Sequence, residues 1–146
     1  MHFVTGGAFN GKANWVREYY DLSQTSHYWC SAYHGVPLPE NLEDENESNV
    51  IVLEGVEYWL KDLATQYDRR EIRFNWRKYL NGWLEWENEQ NQRTLIIIGT
   101  DISKGIVPIH TDERKWRDGT GWAYQDTVAY AKRVDLIWYG INNRIK

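Results

Sequence analysis

Gly6-Gly7-Ala8-Phe9-Asn10-Gly11-Lys12 has the residue types and the spacing of a loop that wraps a phosphate. Glycines let successive backbone N–H groups converge on an anion, and the lysine after the last glycine brings a mobile positive charge to the outer phosphates. Such loops normally continue with a Ser or Thr whose hydroxyl holds magnesium, and here Ala13 stands in that place. The pattern predicts a cradle built from the amides of Gly6, Gly7, Ala8, Phe9, Asn10, Gly11, Lys12 and Ala13 plus the Lys12 ammonium, with one metal ligand missing. Magnesium commonly keeps several waters, so water can fill that position. Losing one contact to a charged group costs about 1.5–3 kcal/mol, or roughly tenfold to a hundredfold in affinity or rate. The bare pattern also fits an ordinary glycine-rich turn with a solvated lysine, so its flanks carry the decision.

The flanks place the loop between a strand and a helix. His2-Phe3-Val4-Thr5 is β-prone, and Lys12 to Tyr20 carries Val16 and Tyr19/Tyr20 at helical spacing from Lys12 and Trp15. An anion in the loop then meets a helix N-terminus, where free N–H groups and the helix dipole favour negative charge. Continuous apolar runs recur at Val50-Ile51-Val52-Leu53, Leu95-Ile96-Ile97-Ile98 and Val134-Asp135-Leu136-Ile137-Trp138-Tyr139, each beside helix-like sequence. Such runs suit strands buried on both faces, and their alternation with helices predicts a three-layer α/β fold with a mostly parallel sheet. Ligands in such folds gather at the carboxyl edge of the sheet, where this loop lies.

A helical stretch is expected from Val56 to about Gln90 with a break near Tyr67-Asp68. Its second half repeats Ile72, Trp76, Tyr79/Leu80, Trp83 and Trp86/Glu87 at three- and four-residue spacing. This aromatic stripe reads as a face packed on the sheet or on a neighbouring subunit, in preference to a surface that stacks a cofactor. Between Tyr33 and Asn49 the chain turns loop-like, with Gly35, Pro37 and Pro39 ahead of an acidic run at residues 40–47 that reads as a solvated, mobile loop and not a metal cluster.

Composition bounds the function classes. With 146 residues, residues 1–146 suit a single domain, and nine Trp and ten Tyr against three Phe predict rings half buried at rims or interfaces of an oligomer. A net charge of -4 and a pI near 5.6 give no basic footprint for nucleic acid. Cys30 is the only cysteine, which excludes an intrachain disulfide framework and agrees with a reducing, cytoplasmic setting; a buried, inert thiol is expected. No apolar stretch approaches the ~20 residues of a membrane span, and no secretory signal pattern opens the chain.

Asp101-Ile102-Ser103-Lys104-Gly105-Ile106-Val107-Pro108, then Trp116-Arg117-Asp118, Gly121, Gln125 and the closing run from Gly140 to Ile145-Lys146 follow in an order that resembles one family. With Phe3-Val4-Thr5-Gly6-Gly7-Ala8 and Gly11-Lys12, they are similar to the bifunctional adenosylcobinamide kinase / adenosylcobinamide-phosphate guanylyltransferase family. The resemblance covers roughly the first twenty and the last fifty residues. It implies a RecA-like phosphate-loop fold, a homotrimer, and an enzyme of cobalamin biosynthesis that uses a nucleoside triphosphate, ATP or GTP, with Mg2+. Such enzymes phosphorylate the aminopropanol hydroxyl of adenosylcobinamide, a corrinoid, then exchange that phosphate for GMP through a guanylylated histidine.

Carried over residue by residue, the resemblance maps Lys12 and the loop amides onto the phosphate cradle. It gives Glu54, at the end of the second core strand, the role of holding magnesium or orienting the attacking hydroxyl. Asp101 stands where the family has Glu, as a shorter candidate catalytic carboxylate. Residues 105–108 are expected to form a rigid turn beside nucleotide or corrinoid, with a purely structural turn as the alternative, and Arg117 either to contact phosphate or to pair with Asp118 or Glu113. The family's His-His-x-x-Arg-Pro segment is absent. His34 is then the weak candidate for guanylylation, and a catalytically degenerate nucleotide-binding relative is the competing reading.

Overall fold

The computed structural model describes residues 1–43 and 48–146. Its elements are β1 (His2–Gly6), α1 (Lys12–Tyr19), β2 (Tyr28–Ser31), a 3-10 turn (Ala32–His34), β3 (Val50–Glu54), α2 (Val56–Gln66), α3 (Arg69–Glu89), β4 (Thr94–Thr100), α4 (Thr111–Tyr130), β5 (Arg133–Trp138) and β6 (Ile141–Arg144). The six strands form one sheet in the order β2-β3-β4-β1-β5-β6. All neighbours run parallel except β5 and β6, so the mostly parallel α/β sheet expected from the apolar runs closes on one short antiparallel edge.

Strand side chains alternate faces, and both faces are covered. Phe3, Ile51, Leu53, Leu95, Ile97 and Val134 pack with the buried side chains of α2, α3 and α4. Val4, Val52, Ile96, Ile98 and Ile137 pack on the other face with Val16 of α1 and Leu22. The three layers follow from uninterrupted apolar runs, because a strand buried on both sides has no polar face to spare.

The break in the long helical stretch is a capping box. Tyr67 is extended, the Asp68 carboxylate accepts from the amides of Arg70 and Glu71, and Glu71 returns a carboxylate to the Asp68 amide at 2.9 Å. Such a cap contributes about 1 kcal/mol and starts α3 in a new direction. The aromatic stripe of α3 turns inward: Ile72, Trp76, Leu80 and Trp83 are fully buried and Trp86 nearly so, within the chain's own core. The stripe is thus a packed face, as its spacing predicts, and Trp59 is buried beside it. Full burial of Trp59, Trp76 and Trp83 is possible because each indole N–H has an acceptor, the Val36 carbonyl, the Thr127 hydroxyl and the Pro39 carbonyl respectively.

Two polar clusters lock the layers. Arg73 and Arg77 of α3 each grip the Asp126 carboxylate of α4 with two hydrogen bonds at 2.7–2.9 Å. The Arg73 hydrogen bonds, then those of Arg77, outweigh burial and hold Asp126 at about 2. At the start of β1, His2 joins the Tyr20 hydroxyl at 2.7 Å and the Asp135 carboxylate at 2.8 Å. Burial, stronger than the pull of Asp135, lowers His2 to about 4.

Of the acidic run expected as a solvated loop, Glu40 and Glu43 are exposed, whereas Leu42 is buried in the main core, and residues 44–47 lie outside the described residues. Cys30 is buried, as its strand context predicts. Among the described residues no helix is long and apolar enough to cross a membrane.

Candidate functional site

The loop between β1 and α1 is held from both ends. Gly6 has φ +147°, and a Cβ there would lie 2.2 Å from the Ile137 carbonyl oxygen, so β5 leaves room only for glycine. The Gly6 carbonyl accepts from the Asp101 amide at 2.9 Å. At the far side the Asn10 carbonyl accepts from the Gly140 amide at 2.8 Å, in the β5–β6 turn. Gly11 caps α1 at φ 86° without any side-chain cap, so the first-turn amides of α1 have no protein acceptor inside the helix. Phe9, at the loop tip, takes φ 57° and is fully exposed.

Lys12 is 7% exposed, and its ammonium donates to the Gly7 carbonyl at 2.8 Å. Burial lowers its pKa, and the carboxylates of Glu57 and then Glu54 oppose that shift. The lysine thus lies across the loop with its charge directed at the cradle.

A cavity of about 650 Å³ opens at the loop, with Lys12, Ala13, Tyr33, Glu54, Glu57 and Thr100 in its wall. Glu54 closes β3 and is half buried, and one of its oxygens accepts from the Trp29 indole N–H at 2.9 Å. Glu57 is a residue that strand-end reasoning overlooks. It sits in the first turn of α2, is 2% exposed, and accepts from the Thr100 amide at 2.9 Å and from the Tyr33 hydroxyl, with the Tyr124 hydroxyl 3.4 Å away. Its sequence signal is slight: a carboxylate two residues after Gly55, the helix-capping glycine at the carboxyl end of a buried strand.

The structure brings Lys12, Ala13 and Glu54 to one cavity and leaves other candidates outside it. Asp101 lines a neighbouring cavity, where its carboxylate accepts from the Ser103 amide at 2.9 Å and lies 3.8 Å from the Lys104 ammonium. His34 is exposed at the end of the 3-10 turn and is not part of the loop cavity's wall. Ile106 and Val107 are exposed, and residues 105–108 line neither cavity. Arg117 meets neither expected acid: it donates to the Ser103 carbonyl, while Asp118 pairs with Arg69.

Phosphate chemistry fits this wall, since the loop offers amides and a lysine. Among the described residues no three His, Cys, Asp or Glu side chains gather as a metal cage. Magnesium at nucleotides needs none, because phosphate and water oxygens fill most of its positions beside one or two carboxylates. Glu54, with one oxygen bonded to Trp29, suits that limited part.

Residues 23–145 match the family model of cobinamide kinase / cobinamide phosphate guanyltransferase. The chain belongs to this family. Its members are enzymes of cobalamin biosynthesis, and the chain shares their phosphate-loop fold. The matched region begins downstream of the loop, so Glu54, Glu57, Asp101 and Arg117 fall within it, and Gly6 to Ala13 rest on their own geometry. Among curated proteins, none matches the chain.

Proposed function

We propose that this member of the cobinamide kinase family transfers the terminal phosphoryl group of ATP or GTP to the aminopropanol hydroxyl of adenosylcobinamide. The observation that carries the reading is the pre-shaped loop with buried Lys12 and two carboxylates, Glu54 and Glu57, in one cavity. Phosphoryl transfer asks little covalent chemistry of the protein and much positioning and charge stabilisation. Loop amides and the α1 N-terminus hold the outer phosphates. Lys12 turns from the Gly7 carbonyl to the transferred group, whose oxygens are better acceptors than a neutral carbonyl. Glu54 would help to hold magnesium, or orients the acceptor hydroxyl. Magnesium, when bound, would neutralise phosphate charge. Glu57 already accepts from the Thr100 amide and the Tyr33 hydroxyl, and its part is to fix the cavity wall and set the field at Lys12.

Guanylyl transfer would need a histidine at the nucleotide, and His34 is the candidate on the turn that presents Tyr33 to the cavity. A cytosolic homotrimer is the assembly this reading takes from the family. Ala13 favours a second reading, a nucleotide-binding relative without turnover.

The deciding experiment incubates the protein with Mg2+, adenosylcobinamide and either ATP or GTP, and follows products by mass spectrometry. Adenosylcobinamide phosphate is expected. Nucleotide binding without product, unchanged in Ala13→Ser, would establish the second reading, and absence of both binding and product would overturn the first. A GMP adduct lost in His34→Ala would add guanylyl transfer.

A further inference from the structure

A second cavity, of about 460 Å³, lies between the carboxyl ends of β1 and β4 and the α4 helix. Thr5, Thr120, Gly121, Tyr124 and Gln125 contribute to its wall. It adjoins the phosphate-loop cavity: Ile102 lines both, and the Tyr124 hydroxyl donates to the Thr100 carbonyl at 3.0 Å and reaches Glu57 at 3.4 Å, two residues of the first cavity.

Two hydroxyls in this wall stand out. The side-chain oxygens of Thr5 and Thr120 are buried and have no hydrogen-bond partner among the described residues. Thr120 is 2% exposed and sits in the middle of α4. A helical threonine ordinarily satisfies itself on the carbonyl four residues back, as Thr127 does on Ala123 at 2.8 Å in the same helix. A buried hydroxyl left without a partner costs stability and calls for a water or a ligand atom. Beside it, a Cβ added to Gly121 would meet nothing within 4 Å, so α4 leaves open space at this point of the wall. Arg117, at the same wall, makes one bond, to the Ser103 carbonyl, and has no carboxylate partner among the described residues.

We infer that this second cavity is the acceptor subsite, which takes a neutral hydroxyl-and-amide arm of the phosphoryl acceptor. The inference rests on the kinase reading, because the first cavity is then filled by nucleotide and the acceptor must arrive from beside it. The two threonine hydroxyls and the Gln125 amide match such an arm, and Phe3 and Val128 match its methylene groups. A volume of this size admits a side arm and leaves a macrocycle outside.

Thr120→Val and Gly121→Leu test it, with cobinamide binding read by equilibrium dialysis and nucleotide binding by a fluorescent GTP analogue. Thr120→Val removes a hydroxyl that has no partner in the protein, and Gly121→Leu replaces a helical glycine by a better helix former, so neither should lower the thermal midpoint. Cobinamide affinity is expected to fall roughly three- to tenfold in Thr120→Val, as for one neutral hydrogen bond, and further in Gly121→Leu, with nucleotide affinity unchanged. Thr120→Ser should restore binding. If Gly121→Leu fails to fold, Gly121→Ala, which projects one methyl toward the cavity, takes its place with a smaller loss expected. Equal cobinamide binding by the parent and the folded variants overturns the subsite alone. A parent protein that binds nucleotide but no cobinamide overturns the acceptor reading, and the subsite with it.

Discussion

The Thr100 amide, at the end of β4, donates to the Glu57 carboxylate in the first turn of α2 at 2.9 Å. This contact joins the carboxyl edge of the sheet to a helix through a buried carboxyl group, which the Tyr33 hydroxyl also meets. In Glu57→Gln one acceptor becomes an N–H2 group that faces donors. Stability should fall by about 2–3 kcal/mol, as for a buried group left unsatisfied. A urea midpoint lowered without a change in slope checks this, and an unchanged midpoint contradicts it.

The loop itself is tested from both sides of its defect. Ala13→Ser supplies the missing oxygen and should raise magnesium-dependent nucleotide affinity or turnover, by on the order of 10-fold. Lys12→Ala should lower either by on the order of 10- to 100-fold, since it removes the charge that the cradle directs at phosphate. Isothermal titration with and without Mg2+ separates the two effects.

Acid should weaken the fold through His2. Its folded value is about 4 against 6.5 for the free side chain, so between those values the unfolded chain binds a proton that the folded chain refuses. The contribution is complete above pH 6.5 and is lost as pH falls toward 4, a change of about 3 kcal/mol. Urea midpoints at several pH values should show this slope in the parent and a shallower one in His2→Asn.

The clamp between α3 and α4 predicts a different acid window. Asp126, held at about 2 against 3.8 when free, stabilises the fold above pH 3.8 and loses that contribution as pH falls toward 2. Its arginine partners are one third to one half exposed, so solvent screens the pair. Asp126→Asn should cost about 1–2 kcal/mol, or roughly 3–8 °C in Tm at this size, measurable by calorimetry.

Much of this was legible in residue order because the signals were local. Apolar runs reported strands buried on both faces, the helix break was legible near Tyr67-Asp68, and Glu54 was visible as the carboxylate that ends a strand. Glu57 was hidden because its burial depends on Thr100, Tyr33 and Tyr124, which are far away in the chain. The same holds for His2, whose partners Tyr20 and Asp135 come from other elements. The stripe of α3 showed a buried face but not that distant acceptors would let whole indoles disappear from solvent. Of the two alternatives for Arg117, the pairing with a nearby acid fails because the fold gives Asp118 to Arg69. The second cavity was present in residue order only as scattered signature residues, Asp101, Ile102, Ser103, Arg117, Gly121 and Gln125, because the fold draws its wall from β1, α4 and the segment after β4.

The bond from the Gly140 amide to the Asn10 carbonyl makes the outermost hairpin of the sheet a splint for the loop. The entropy of shaping the cradle is lost when the chain folds, before any phosphate arrives, and less remains to be lost on binding. In the proposed reading, nucleotide affinity is therefore tied to the integrity of an edge strand whose residues are all exposed to solvent.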